Sequence, residues 1–260
     1  MSTSKTDPNP PRPGPRSLAL AGCAAWLLAL AACGGGAGSG LGPPADTEAA
    51  PPMPEPPLVA ATPAERAGCS VTLEGDSILY GGFVPGPRLP ETPAALLHRL
   101  RPAYTVVDNS VPALTAALRA RPFAAERRST RFVVLQHGIN DAQNATALAP
   151  PLGRMVERVQ AEGRVPVVTG LARQFGARKV RRRDAYDATA REVARSRGAL
   201  FADWGAVEGR PEDMADWIHP GTPYSARLVE RLVAVLDAAA PECAQGPLAR
   251  ADRILPEPSP

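Results

Sequence analysis

Five short apolar runs punctuate the middle of the chain: "SVTLEG" (70–75), "YTVVDN" (104–109), "RFVVLQ" (131–136), "RVPVVTG" (164–170) and "ALFADW" (199–204). They are continuous rather than alternating, which is the pattern of strands covered on both faces. Between them the period lengthens. Leu152, Met155, Val156 and Val159 fall at i, i+3, i+4 and i+7, one face of a helix, and Leu228, Val229, Leu232, Val233 and Leu236 repeat that pattern. Thr222 and Pro223 are expected as the N-cap and first helical position of this last helix. Strand and helix in alternation predict an α/β chain, with a five-stranded parallel sheet held between two helical layers. Such sheets bind ligands beyond the carboxyl ends of their strands, so the residues just after each run carry the chemistry.

The flanks have a different composition. "SLALAGCAAWLLALAAC" (17–33) follows Arg12 and Arg16, is apolar over a short stretch and closes on small residues. This is the pattern of a secretory signal peptide, too short for a comfortable transmembrane helix. Leu30-Ala31-Ala32-Cys33 resembles a bacterial lipobox, which implies cleavage before Cys33 and lipidation of that cysteine. Leu20-Ala21-Gly22-Cys23 matches the same pattern but would leave too short an apolar region behind Arg16, so Cys33 is preferred. Gly34 follows, with no Asp to signal inner-membrane retention, so outer-membrane anchoring in the cell envelope is expected. The expected organisation is a signal peptide at 1–32, a disordered Pro/Gly/Ala-rich linker at 33–66, one domain at 67–245 and a disordered tail at 246–260.

If Cys33 is lipidated, Cys69 and Cys243 remain at opposite ends of the domain in an oxidising compartment, and a disulfide between them is predicted. The formal net charge of +3 is small, and no basic stripe with interleaved aromatics is present. Nucleic acid is therefore not an expected partner. Neither a metal-ligand cluster nor a dinucleotide or phosphate-cradling glycine fingerprint occurs in the sequence, and no cofactor is expected. A monomer is expected.

Four segments at the strand ends hold the reactive residue types. Gly75-Asp76-Ser77 follows the first run, "DNSVPALTA" (108–116) the second, "HGINDA" (137–142) the third, and "DWIHP" (216–220) precedes the last helix. A serine hydroxyl needs a base, and the base needs an orienting acceptor. His219 lies three residues after Asp216, a spacing that puts both side chains on one side of a turn. Asp216 can then hold one imidazole nitrogen while the other faces Ser77. The Ser77 N–H, the Asn140 side chain and a backbone N–H near Ala113 are candidate donors to a developing oxyanion. His137 is expected to serve packing or hydrogen bonding, and His98 to lie at the surface of a helix.

In order and spacing these blocks resemble the SGNH (GDSL) hydrolases. "GDSILYG" is similar to the nucleophile block, "GIND" to the G-x-N-D block and "DWIH" to the D-x-x-H block. The resemblance covers nearly all of residues 70 to 240. It implies a flavodoxin-like α/β/α sandwich and a serine esterase with Ser77 as nucleophile, His219 as base, Asp216 as its orienter and Asn140 as oxyanion donor. One block departs from the family, because "VVDNSVPALT" puts Ala113 where a glycine is usual. Alanine keeps the N–H but is costly if the position needs a positive φ.

The expected activity is cleavage of carboxylic esters through an acyl-serine, with small acyl groups such as O-acetyl on glycans favoured by the scarcity of large apolar residues around the motifs. A lysophospholipase, an acyltransferase on the same fold and a catalytically idle binding module remain as alternatives. Arg173, Arg178, Lys179, Arg181, Arg182 and Arg183 follow the fourth run and are expected to form a positive rim on the ligand side of the sheet.

Overall fold

The computed structural model describes residues 58–82 and 86–245. Cys33, the signal segment, most of the linker and the tail at 246–260 lie outside the described residues.

The first apolar run forms β1 (Ser70–Gly75), the others β2 (Thr105–Asp108), β3 (Phe132–Gln136), β4 (Val165–Thr169) and β5 (Leu200–Ala202). All neighbouring pairs are parallel, in the order β2-β1-β3-β4-β5. Every residue of β3, and all but the first of β1 and of β4, is buried. Central strands sandwiched on both faces can hold such unbroken apolar runs. β2 differs from the expectation of full cover: it is the sheet edge, and three of its four residues are exposed. β5 is shorter than its apolar run, because the chain leaves the sheet at Asp203, whose side chain caps a single 3₁₀ turn at Trp204–Ala206.

The helices are α1 (Pro63–Ala67), α2 (Ser77–Tyr80), α3 (Pro93–Leu100), α4 (Ala116–Ala125), α5 (Ile139–Asn144), α6 (Ala149–Ala161), α7 (Arg183–Ser196) and α8 (Thr222–Ala239). α3 packs on α8 over one face of the sheet, while α6 packs between α4 and α7 over the other. The predicted apolar faces are the ones buried: Leu152, Met155, Val156 and Val159 on α6, and Leu228, Val229, Leu232, Val233 and Leu236 on α8. The result is a three-layer α/β/α sandwich with flavodoxin-like strand order.

Two local expectations shift. α8 begins one residue early, so Thr222 is its first residue and Gly221 its cap, with no side-chain capping bond. The reason is that the Gly221 N–H is already held by the Asp213 carbonyl at 2.8 Å, which fixes the chain's entry into the helix at that residue. The boundary drawn between 66 and 67 falls inside α1, which the Pro-rich context hid. Thr62 and Glu65 form a reciprocal capping box around its first turn, and the Ala61 N–H donates to the Glu162 carbonyl at 2.7 Å, so the folded unit already includes residue 61.

Cys69, just before β1, is bonded to Cys243 in the short turn after α8. The bridge spans 174 positions at the amino end of β1. In the chain-entropy model a closure of that length is worth about 5 kcal/mol. It joins both ends of the domain while leaving the carboxyl ends of the strands open.

Candidate active site

The polar triplet after β1 folds into a tight strand-to-helix turn. Asp76 is the N-cap of α2, its carboxylate accepting the Ile78 N–H at 2.9 Å, and Ser77 is the first helical residue. The Ser77 N–H is thus one of the helix's orphan donors. The turn is anchored to β3, where Gln136 Oε1 accepts the Asp76 N–H at 3.0 Å. Gly75 must be glycine, because a Cβ there would sit 2.6 Å from Gln136 Oε1 and 2.8 Å from the Leu79 side chain. Gly81 closes the single turn in the left-handed region at φ 82°, donating to the carbonyls of Ser77 and Ile78. The glycines therefore let one turn of helix fit directly on the end of a buried strand, with the serine at its start.

The "DWIH" segment forms a pinned loop rather than a helical turn. The Ala215 N–H donates to the His219 carbonyl at 2.9 Å, and Met214 bridges Pro220 in antiparallel fashion. Asp216 Oδ1 accepts the backbone N–H groups of Ile218 (2.8 Å) and His219 (2.7 Å), while its Oδ2 lies 2.7 Å from His219 Nδ1. Burial acts to raise this carboxyl's pKa, but the His219 ring and the two N–H donors outweigh it and hold it below the usual carboxylate value. An ionised Asp216 fixes the tautomer: Nδ1 carries the proton, and Nε2 is left as acceptor. Nε2 lies 2.9 Å from Ser77 Oγ, so hydroxyl, imidazole and carboxylate form one hydrogen-bonded chain across 142 positions of sequence.

Asn140 lies in the first turn of α5 and does not cap it; Gly138 is the cap residue, without a side-chain bond. The Asn140 amide instead donates to the Leu114 carbonyl at 3.1 Å, leaving its second amide hydrogen without an acceptor among the described residues. That bond ties α5 to the loop after β2, where Ala113 sits at φ 65°. The position does need the left-handed conformation, and alanine bears the strain there. The Ala113 N–H has no acceptor among the described residues. The same loop is tied to β1, with the Val111 N–H on the Gly75 carbonyl and the Asn109 N–H on the Leu73 carbonyl, both at 2.9 Å.

His137 is fully buried beside these segments. Burial, reinforced by the nearby Arg119 cation and opposed by the Leu114 backbone, pushes its pKa down to about 3, so it stays neutral. His98 is exposed on α3, its Nδ1 3.0 Å from the Tyr104 carbonyl.

The expected basic rim divides. Arg183 is buried, with its guanidinium turned onto the carbonyls of Ala172 and Leu171, and Arg173 Nε donates to the Gly205 carbonyl at 2.8 Å. Arg183 is thereby structural rather than part of a rim, while Arg173 is exposed and holds a backbone acceptor with Nε. Arg178, Arg181 and Arg182 line a cleft of about 340 Å³ together with Trp217. Lys179 is exposed nearby.

Sequence patterns alone did not single out Trp217, the Gln136 anchor, the capping role of Asp76 or the partners of Asp141. The Asp76 cap had a signal, since Asp directly before a helical residue is a preferred N-cap. The other three depend on contacts between distant segments.

A parallel α/β/α sandwich with a Ser-His-Asp chain at the carboxyl ends of its strands defines a class of serine hydrolase architectures. A model of the GDSL-like lipase/acylhydrolase family matches residues 74–224, more than half of the chain, which therefore belongs to that family and is a GDSL-type esterase. No curated protein matches the sequence. Among solved structures, TesA is 25% identical with a TM-score of 0.53, covering 65% of this chain and 98% of its own. The psychrotrophic esterase EstA from Pseudoalteromonas sp. is 15% identical with a TM-score of 0.55, covering 66% and 98%. Axe2, an acetylxylan esterase from Geobacillus stearothermophilus, is 18% identical with a TM-score of 0.52, covering 66% and 96%. The last two share the fold.

Proposed function

We propose that this esterase works through an acyl-serine formed on Ser77 and that it removes small acyl groups, O-acetyl on glycans above all, in the cell envelope. The observation that carries the mechanism is the His219 imidazole held between Ser77 Oγ at 2.9 Å and Asp216 at 2.7 Å. Nε2 takes the hydroxyl proton as Oγ attacks the ester carbonyl, and the resulting imidazolium is stabilised by the ionised Asp216. The oxyanion is met by the Ser77 N–H, the Ala113 N–H and the second amide hydrogen of Asn140. As the tetrahedral intermediate collapses, Nε2–H protonates the leaving alcohol and the acyl group stays on Oγ. Water, deprotonated by the same nitrogen, then attacks the acyl-serine and releases the acid.

Two observations favour a small acyl group. The cleft beside the site is basic, with a single indole, and so is a poor receptor for a long alkyl chain. A neighbour of the same fold is an acetylxylan esterase. The envelope location is supported by the lipobox-like Cys33 and by the Cys69–Cys243 bridge, which suits an oxidising compartment.

The test is a nitrophenyl ester series from acetyl to long acyl chains, run on wild type, Ser77→Ala and Asp216→Asn. The expected outcome is the highest kcat/KM on acetyl, with Ser77→Ala losing about a thousandfold or more in kcat at an unchanged unfolding midpoint. Asp216→Asn presents an amide N–H to Nδ1 and forces the wrong tautomer, so its loss is of similar order. Wild-type-like turnover by Ser77→Ala would remove the mechanism, and a maximum at long chains would remove the small-acyl reading.

A further inference from the structure

The cleft at Trp217 shares two segments with the candidate catalytic machinery. One wall comes from α5, where Gln143 lies three positions after Asn140 and so on the same helix face, next to Ala142. Trp217, inside the loop that presents Asp216 and His219, also lines the cleft. It therefore borders the two segments that carry Asn140 and His219. Its volume of about 340 Å³ lies at the small end of the range for ligand sites.

The chemistry of the lining is unusual. Arg178, Arg181 and Arg182 supply three guanidinium groups, all on exposed residues, and none forms an ion pair or side-chain hydrogen bond with another described residue. Many other arginines of the described residues are paired, as in Arg128 with Glu162, Arg101 with Asp237 and Arg119 with Glu74. Arg121, Arg154 and Arg231 stand unpaired singly on exposed positions; among the described residues, only here do three unpaired guanidiniums line one cleft. No carboxylate among the described residues lines the cleft to neutralise the three. Among the described residues lining it, the one large exposed hydrophobic side chain is Trp217, 38% exposed. A partly exposed indole beside unneutralised guanidiniums is suited to a ligand with one flat apolar face and one anionic edge.

Resting on the reading of Ser77 as an ester-cleaving serine, we infer that this cleft binds the alcohol side of the ester and that the alcohol is an acidic sugar. The sugar ring lies on Trp217, and its carboxylate is held by Arg178, Arg181 and Arg182. A planar carboxylate matches the forked donors of Arg. A phospholipid headgroup would satisfy the arginines but would offer a flexible glycerol, with no flat face for the indole. The basic groups would act mainly on capture of the substrate, and their effect would weaken with salt.

The experiment uses the full chain and three acetyl esters: methyl O-acetyl-galacturonoside, the matching galactoside, which differs only in carrying a hydroxymethyl group in place of the carboxylate, and O-acetyl glycerol 3-phosphate. Wild type, Trp217→Ala and the triple variant Arg178→Ala/Arg181→Ala/Arg182→Ala are compared at low and high salt. Binding of unacetylated tetragalacturonate to each is measured in parallel by calorimetry. In wild type at low salt the galacturonoside is expected to exceed the galactoside by roughly tenfold in kcat/KM, mostly through KM. The triple variant and high salt should both bring that ratio to near one, and Trp217→Ala should weaken both sugars.

Equal rates on the two sugars, an equal loss on both in the triple variant, or preference for the glycerol phosphate ester would overturn the inference. The binding arm separates it from the reading it rests on. Arginine-dependent binding of tetragalacturonate without turnover of any ester would sink the esterase mechanism and uphold the cleft, whereas ester turnover without that binding would do the reverse.

Discussion

The carboxylate of Asp141 accepts the Ala116 N–H, with each oxygen 3.1 Å from the nitrogen, and so joins the first turn of α5 to the first residue of α4. One residue earlier, Asn140 holds the Leu114 carbonyl. Together the two side chains clamp residues 114 to 116 and fix the direction in which the Ala113 N–H points. Burial raises the Asp141 carboxyl, while the Ala116 N–H and the Thr146 hydroxyl act to lower it. Asp141→Ala leaves the buried Ala116 N–H and the partly buried Thr146 hydroxyl without their acceptor, an expected cost of about 1–3 kcal/mol. In Asp141→Asn one acceptor oxygen survives, and the cost should be smaller. Urea unfolding measures the stability change. Steady-state kinetics on nitrophenyl acetate should show the loss in kcat rather than KM, because a misdirected oxyanion donor matters only in the transition state. A destabilised Asp141→Ala protein with wild-type kcat would show that the clamp has no part in aiming the donor.

Ala113 is the strained point of that loop. At φ 65° a non-glycine residue costs roughly 1 kcal/mol or more. Ala113→Gly relieves that strain but adds freedom to the unfolded chain worth about 0.4–1 kcal/mol. The expected net effect is a small gain, up to about 1 kcal/mol, with kcat kept or raised because the N–H is unchanged. Ala113→Val, β-branched in the same conformation, should lose stability and kcat together. Thermal or urea midpoints for the two variants, run beside their acetyl ester kinetics, decide this. A clear loss of stability in Ala113→Gly would mean that the alanine methyl makes contacts worth more than the strain.

What the sequence revealed depended on where each residue's partners lie. β1 and β3 were legible nearly to the residue, because burial on both faces writes an unbroken apolar run, and β4 was overdrawn by only one residue at each end. β2 and β5 were overdrawn at their ends, since an edge strand and a strand leaving the sheet keep the composition of a strand beyond their last ladder bond. The spacing of Asp216 and His219 was readable because both sit in one loop. Their approach to Ser77, 142 positions away, depends on tertiary packing and has no local signal. Arg183 shows the opposite limit. In a run of basic residues nothing distinguishes a guanidinium that faces solvent from one folded back on the carbonyls of residues 171 and 172. α1 could have been found from the Thr62–Glu65 capping pattern, but the prolines around it masked the signal.

Asp76 gives the molecule a pH dependence that can be isolated. It is fully buried at the cap of α2, with Oδ1 on the Ile78 N–H and Oδ2 without a hydrogen-bond partner. Burial pushes its pKa up to about 7, against the Ile78 N–H and Gln136, with Asp141 adding to the rise. An unfolded Asp titrates near 4. Below about pH 4 both states hold the proton and nothing is lost. Between about pH 4 and 7 the unfolded chain has released it and the folded chain has not, so stability falls as pH rises, by at most about 1.4 kcal/mol per unit. Above about pH 7 the loss is complete and stays constant. His137 acts in the other sense: its pKa is depressed to about 3, so it costs stability as pH falls below its unfolded value near 6.5. The two slopes partly cancel in wild type, and the difference between wild type and Asp76→Asn removes the histidine from the comparison. Asparagine keeps the oxygen that accepts the Ile78 N–H and cannot ionise. Its stability relative to wild type should therefore rise steadily between about pH 4 and 7 and then level off, in urea unfolding at matched ionic strength. A difference that stays flat across this range would mean that the Asp76 carboxyl releases its proton at an ordinary pH in the folded protein, and that an ionised group sits directly before Ser77.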